Sequence, residues 1–273
     1  MNSNYVQKIA NEMDLRPKQV EAVLDLLSQG ATVPFIARYR KEATNSLDEV
    51  AISDIRDRSA SMEELDRRRD VILKSLRDQE KLTEDLATKI GGAETLAVLE
   101  DIYLPFKPKR RTRASIARER RLEPLAQILF QQEDLDPYVV SAPFVDPEKE
   151  IETTEDALSG ARDIIAEWIT ENQKARTLMR SLFLQKGVVI SKVDSGKEEE
   201  GAKYKDYFDW EEPLKKAPSH RILAIRRGEN EGILTLRIAP EERRALALLE
   251  SLFITGRFGT SEQVQIAVHD SYK

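Results

Sequence analysis

Along most of this chain apolar residues recur at intervals of three and four, the spacing that lines one face of an α-helix. Tyr5, Val6, Ile9, Ala10 and Met13 mark a first helix. A second carries Val20, Val23, Leu24 and Leu27, with Pro17 in its first turn and Gly30 just past its end, where a missing N–H and a tolerance of positive φ are useful. Thr32 stands as an N-cap before a short helix holding Pro34, Phe35, Ile36 and Tyr39. Ser46 reads as the cap of a segment from 47 to about 77 that contains neither Pro nor Gly. There Ile55, Met62, Leu65, Ile72 and Leu76 fall near a seven-residue repeat, and one helix of about 45 Å is expected at 1.5 Å per residue. Arg56, Arg58, Arg67, Arg68 and Arg69 alternate with acids along it and are expected on a solvated, ion-paired face.

Thr83 caps a helix ending at Gly91-Gly92, and 94–103 continues with Leu96, Leu99 and Ile102 on one side until Pro105. After a helix near 125–131, the stretch 134–156 holds Pro137, Pro143 and Pro147 among many acids. The expected division is therefore a helical region 1–132, an acidic linker 133–156 and a second helical region 157–273. Two strong helices, 154–170 and 172–185, should form a hairpin. Gly187 breaks that pattern, and 188–193 is a β-branched run whose expected partner is 233–238. Pro240 and Ser261 open the last two helices. The final one has no capping glycine and no polar tail, so a polypeptide continuing past Lys273 is expected. The predicted fold is mainly α: multihelical, with a helix-turn-helix-like element and one small antiparallel β-ribbon.

Composition agrees, with 34% charged residues but only 11 Gly and 11 Pro. The charge sum of 43 basic against 49 acidic residues leaves −6, so any anion-binding surface must be a local patch. There is no cysteine, which removes disulfides and thiolate metal sites, and the two histidines, His220 and His269, are far apart. No cofactor, metal or small-molecule substrate is expected. No apolar run of 18 residues and no signal-like N-terminus occur, so the chain is expected in the cytoplasm and off the membrane. Nucleophile-elbow, phosphate-loop and zinc-helix motifs are absent, and an enzyme is not expected.

The densest chemistry is Lys107, Lys109, Arg110, Arg111 and Arg113, five cations in seven residues; extended to Arg121, the run has eight basic residues against one acid, Glu119. Such crowding is unfavourable unless anions compensate it. Three compensations stay open. Phosphates of RNA or DNA suit the arginine fork; the stretch 133–156, with nine acids and one lysine, could fold over the run; or a partner protein could meet it. A second candidate contact is Arg38 with Lys41, three apart and expected on one helix face, in short helices whose tight turns suggest helix-turn-helix order. The alternative there is pairing with Asp25, Asp48 or Glu49. His220-Arg221 and Arg226-Arg227-Gly228-Glu229 flank the apolar run 222–225 and read as a capped helix with a surface histidine, and Glu198, Glu199 and Glu200 as a solvated loop rather than a cation site.

Four blocks in order resemble the N-terminal region of the Tex family of bacterial transcription accessory proteins. They are TVPFIARYRKE from Thr32 with Leu47-Asp48-Glu49, LEDIYLPFKPKRRTRA from Leu99, ALSGARDIIAE from Ala157 and HRILAIRRGE from His220. Where the family pattern has glycines, this chain has Ala43-Thr44-Asn45-Ser46, and Asn can take a left-handed turn nearly as Gly does. The resemblance implies an all-helical, non-catalytic scaffold, related in architecture to a eukaryotic transcription elongation factor. In such proteins it precedes an RNase H-like domain, helix-hairpin-helix units and an OB-fold. It implies that RNA or DNA is gripped mainly by those further domains, with transcription machinery as a possible protein partner. The basic run is thus an expected auxiliary contact, not a site carried over from the family.

Overall fold

The computed structural model describes residues 3–108 and 111–273. Two of the candidate cations, Lys109 and Arg110, lie outside the described residues. The chain divides into two compact units, Met1–Phe106 and Lys107–Lys273.

The first unit opens with α1 (Ser3–Glu12), α2 (Pro17–Ser28) and α3 (Val33–Tyr39). Gly30, at φ +86°, lets the chain turn between α2 and α3, the order expected of a helix-turn-helix-like element. Arg40, at φ −126° and ψ 32°, then interrupts the helix before the four-residue α4 (Lys41–Thr44). Arg38 and Lys41 therefore stand on two different helices, and the single shared face expected for them does not form. Asn45 and Ser46 are both left-handed, at φ 54° and 62°, so Ser46 cannot present the extended backbone of an N-cap. Asp48 caps α5 (Glu49–Asp78) instead, its carboxylate accepting from the Ala51 N–H at 2.8 Å.

The 30 residues of α5 make one rod of about 45 Å. Its buried stripe changes partners midway. Ile52, Ile55 and Met62 pack with Ile9, Val20, Val23 and Ile36, whereas Leu65, Ile72 and Leu76 pack with residues of α6 (Glu84–Gly91) and α7 (Leu96–Tyr103) such as Leu86, Ile90 and Leu99. Several of its arginines reach across to other helices rather than facing solvent alone. Arg58 forks onto Glu12 at 2.6 and 2.7 Å, and Arg68 pairs with Glu100 while lying over the Tyr103 ring. Arg69, whose side chain is only 19% exposed, donates to the carbonyls of Ile90 at 3.1 Å and Ala93 at 2.9 Å. It thus serves the end of α6, where backbone acceptors run out of helical partners.

In the second unit α8 (Arg113–Glu119), α9 (Glu123–Gln131), α11 (Thr154–Glu171), α14 (Glu242–Phe253) and α15 (Gly259–Tyr272) share the largest core. Between α9 and α11 the residues expected as a linker form α10 (Pro137–Ser141) and two short 3-10 turns, and Pro137, Pro143 and Pro147 each sit in a first turn, where a missing N–H costs nothing. Ile151 of this stretch is fully buried in the core. Buried Gln132 ties α9 to the end of α14, donating to the Phe253 carbonyl at 2.7 Å and accepting from the Thr255 N–H at 2.9 Å. After α12 (Gln173–Lys186), β1 (Val188–Val193) is the central strand of an antiparallel sheet, flanked by β2 (Asp209–Pro213) and β3 (Leu234–Ala239). The expected two-stranded ribbon of β1 and β3 is present, with Ser191 opposite Leu236; the added strand sets Trp210 opposite Ser191 on the other side. β2 lacks β-branched residues, so its pattern did not announce a strand. With α13 (Ser219–Asn230) the sheet encloses a small core of Tyr204, Ile225, Ile233 and Leu234.

Replacing Arg69 by Met keeps the apolar stem but removes the donors to Ile90 and Ala93. The unfolding free energy in urea should fall by about 1.5–3 kcal/mol; an unchanged urea midpoint would show that water serves those carbonyls equally well.

Candidate nucleic-acid interface

The basic run begins in the loop before α8 and continues through that helix. Thr112 caps α8 reciprocally with Ser115: the Ser115 N–H donates to the Thr112 hydroxyl at 3.0 Å and the Thr112 N–H to the Ser115 hydroxyl at 2.9 Å. Below it, Ala114 and Ala117 press onto α11 next to Gly160. A Cβ on Gly160 would come within 2.4 Å of a Leu122 methyl, so glycine is needed there for close approach.

This packing sorts the cations. Arg118, the best sheltered, donates to Glu167 at 2.6 Å and to Glu123 at 3.4 Å. Arg120 pairs with Glu150. Arg111 and Arg113 hold looser pairs, with Glu119 at 3.7 Å and Asp163 at 3.3 Å, and their side chains remain 73% and 74% exposed. Lys107 is exposed and has no ion-pair partner among the described residues. Of the acid-rich 133–156 stretch, Glu150 is the residue that meets a described cation of the run, and it meets Arg120 rather than the loop. A shallow pocket of about 290 Å³ between α8 and α11 brings Arg113 and Arg120 together with Glu150, Asp156 and Asp163, so its walls carry both signs of charge.

Asp163 and Glu167 were not singled out from the sequence as counter-ions. Their signal is their spacing: acids four apart share one helix face, here the face that α8 covers. Burial pushes the Asp163 carboxyl above its ordinary value, and Asp270 adds to the effect while Arg113 and Arg162 oppose it.

The other candidate cations lie on the first unit. Arg38 faces Glu49 at 3.6 Å, one of the acids expected for it, with both side chains at least half exposed. Lys41 is exposed without an ion-pair partner among the described residues. His220 is exposed on α13, and His269 meets Glu250 at 2.8 Å. Among the described residues no group of three or more His, Asp or Glu side chains could hold a metal ion, and no helix is long and apolar enough to cross a membrane.

Residues 3–77 match the family model of the Tex-like protein N-terminal domain, and residues 132–269 match the model described as Tex central region-like. The chain belongs to the Tex family. Protein YhgF of Escherichia coli K12 is 48% identical over 236 residues, 86% of this chain and 30% of that protein. The transcriptional accessory protein Tex of Neisseria gonorrhoeae is 41% identical over 233 residues, 85% of this chain and 30% of that protein. A human S1 RNA-binding domain-containing protein 1 is 27% identical over 247 residues, 87% of this chain and 24% of that protein. The chain thus spans about 30% of the length of its bacterial Tex relatives. The basic run falls between the two matched Tex regions.

A carboxyl raised above its ordinary value binds its proton more tightly in the folded chain than in the unfolded one. The contribution of Asp163 to stability is therefore full below the unfolded value and is lost as pH rises through the folded one. Arg113→Ser removes a cation that opposes the rise, so the Asp163 titration, followed by carboxyl carbon NMR, should move to still higher pH. An unmoved midpoint would rule out the Arg113–Asp163 pair.

Proposed function

We propose that this chain is the helical scaffold of a Tex-type transcription accessory protein, working in the cytoplasm and making or breaking no bonds itself. Lys107, Lys109, Arg110, Arg111 and Arg113 offer a sequence-independent contact to the phosphates of RNA or DNA, with Arg38 and Lys41 as a second point of contact. The observation that carries this reading is the exposure of Lys107, Arg111 and Arg113 beside Arg118 and Arg120, which already hold carboxylates. The Arg111–Glu119 pair at 3.7 Å, exposed on both sides, contributes little to stability, so exchanging its carboxylate for a phosphate costs little. Arginine and lysine in such a place bind any polyphosphate backbone, releasing counterions without reading bases. The S1 RNA-binding name of the human relative supports RNA as the natural polyanion. The transcriptional accessory name of the gonococcal relative supports a setting in which the principal grip and the contacts to transcription machinery belong to the rest of the protein. With two separated histidines and no cysteine, an enzyme here would have to run on carboxylates or lysines alone.

With about four phosphates engaged, log affinity for duplex DNA should fall with log salt at a slope of roughly −3 to −4. Changing the five loop cations together to Ser should weaken binding in fluorescence anisotropy and flatten that slope. Affinity and slope both unchanged would remove the loop from the nucleic acid and give it to an acidic protein surface.

A further inference from the structure

The short helix α3 buries Val33, Ile36 and Ala37 but leaves Phe35 41% and Tyr39 68% exposed. Burying aromatic rings is among the larger apolar gains open to a fold, and two left out side by side mark an interaction surface. They lie one turn apart, with ring centroids 5.5 Å from each other. The Arg40 guanidinium stands 5.9 Å from the Phe35 centroid. Around the rings, Arg38 and Arg40 hold only loose, exposed pairs, with Glu49 at 3.6 Å and Glu42 at 3.9 Å, and Lys41 has no ion-pair partner among the described residues.

We propose that Phe35 and Tyr39 form a stacking platform for the unpaired bases of a single-stranded nucleic acid, while Arg38, Arg40 and Lys41 hold its adjoining phosphates. Flat rings bordered by cations take a base on the ring face and a phosphate on the charge, the combination used in single-strand grooves. A protein helix docks instead in a hydrophobic groove, and the aliphatic side chains of α3 point into the core rather than lining one. Stacked duplex bases have no free face to offer, so the platform selects single strands. The proposal rests on the nucleic-acid reading above and narrows its target.

Fluorescence anisotropy of this chain with a labelled oligouridylate of about 12 nucleotides, and with a duplex of similar length, tests it. Tyr39→Leu should weaken oligouridylate binding roughly 5- to 150-fold, the range of one base–aromatic stack, leaving the salt slope and duplex affinity unchanged. Tyr39→Phe should bind like the parent, because it keeps the ring. Phe35→Leu should repeat the loss. If both Leu variants hold oligouridylate as tightly as the parent, the platform is overturned and the rings belong to a protein partner. The loop-to-Ser variant, run alongside, separates the two ideas. Duplex binding that falls with loop charge, together with single-strand binding indifferent to the rings, sinks the platform alone. A parent chain that binds neither probe at low salt sinks both.

Discussion

The candidate interface depends on how closely α8 can approach α11. Ala114 and Ala117 on one helix and Gly160 on the other leave almost no side chain between the backbones, and even one added methyl at Gly160 would collide with Leu122. At that distance Arg118 reaches Glu167, and the Thr112 hydroxyl comes within 3.4 Å of the same carboxylate. The small residues therefore do electrostatic as well as steric work. They bring the carboxylates of α11 under the middle of the basic run, while among the described loop cations Arg111 keeps only an exposed pair at 3.7 Å and Lys107 has no ion-pair partner among the described residues.

The same sorting of cations runs through the first unit. Arg58, Arg68 and Arg69 lie partly buried against acids or carbonyls of other helices, where a guanidinium satisfies several acceptors at once. Arg38, Arg40 and Lys41 stay at the surface with weak pairs or none. In a chain with six more acids than bases, a basic surface arises by committing carboxylates elsewhere, not by an excess of lysine and arginine. That arrangement favours a contact that is readily reversed by salt over a tight one.

Much of the architecture is legible in the residues themselves, because helical and strand periodicity is a local property. The unbroken pattern through 47–77 became the single rod of α5, and the β-branched run 188–193 became β1 with those bounds. Local reading failed where two local rules competed. Ser46 has the side chain of a cap, but the left-handed pair Asn45-Ser46 leaves that role to Asp48. Prolines and acids in 133–156 read as a linker, yet the prolines serve as helix starters and Ile151 reaches the core. β2 acquires its strand conformation from pairing with β1 rather than from its own residues.

The sequence by itself determined the helix content, the small sheet's principal strands, the family and the presence of a cationic cluster in an acidic chain. The family rests on four ordered blocks that resemble known relatives, and the rest follows from composition or from spacing within a few turns. Only the tertiary packing settles which cations are committed: that Arg118 is held by Glu167 and Arg69 by the end of α6, that Arg38 and Lys41 part company at Arg40, and that Arg111 and Arg113 stay largely exposed in looser pairs. A charge's availability depends on what lies within a few ångströms of it, and those neighbours come from helices tens of residues away.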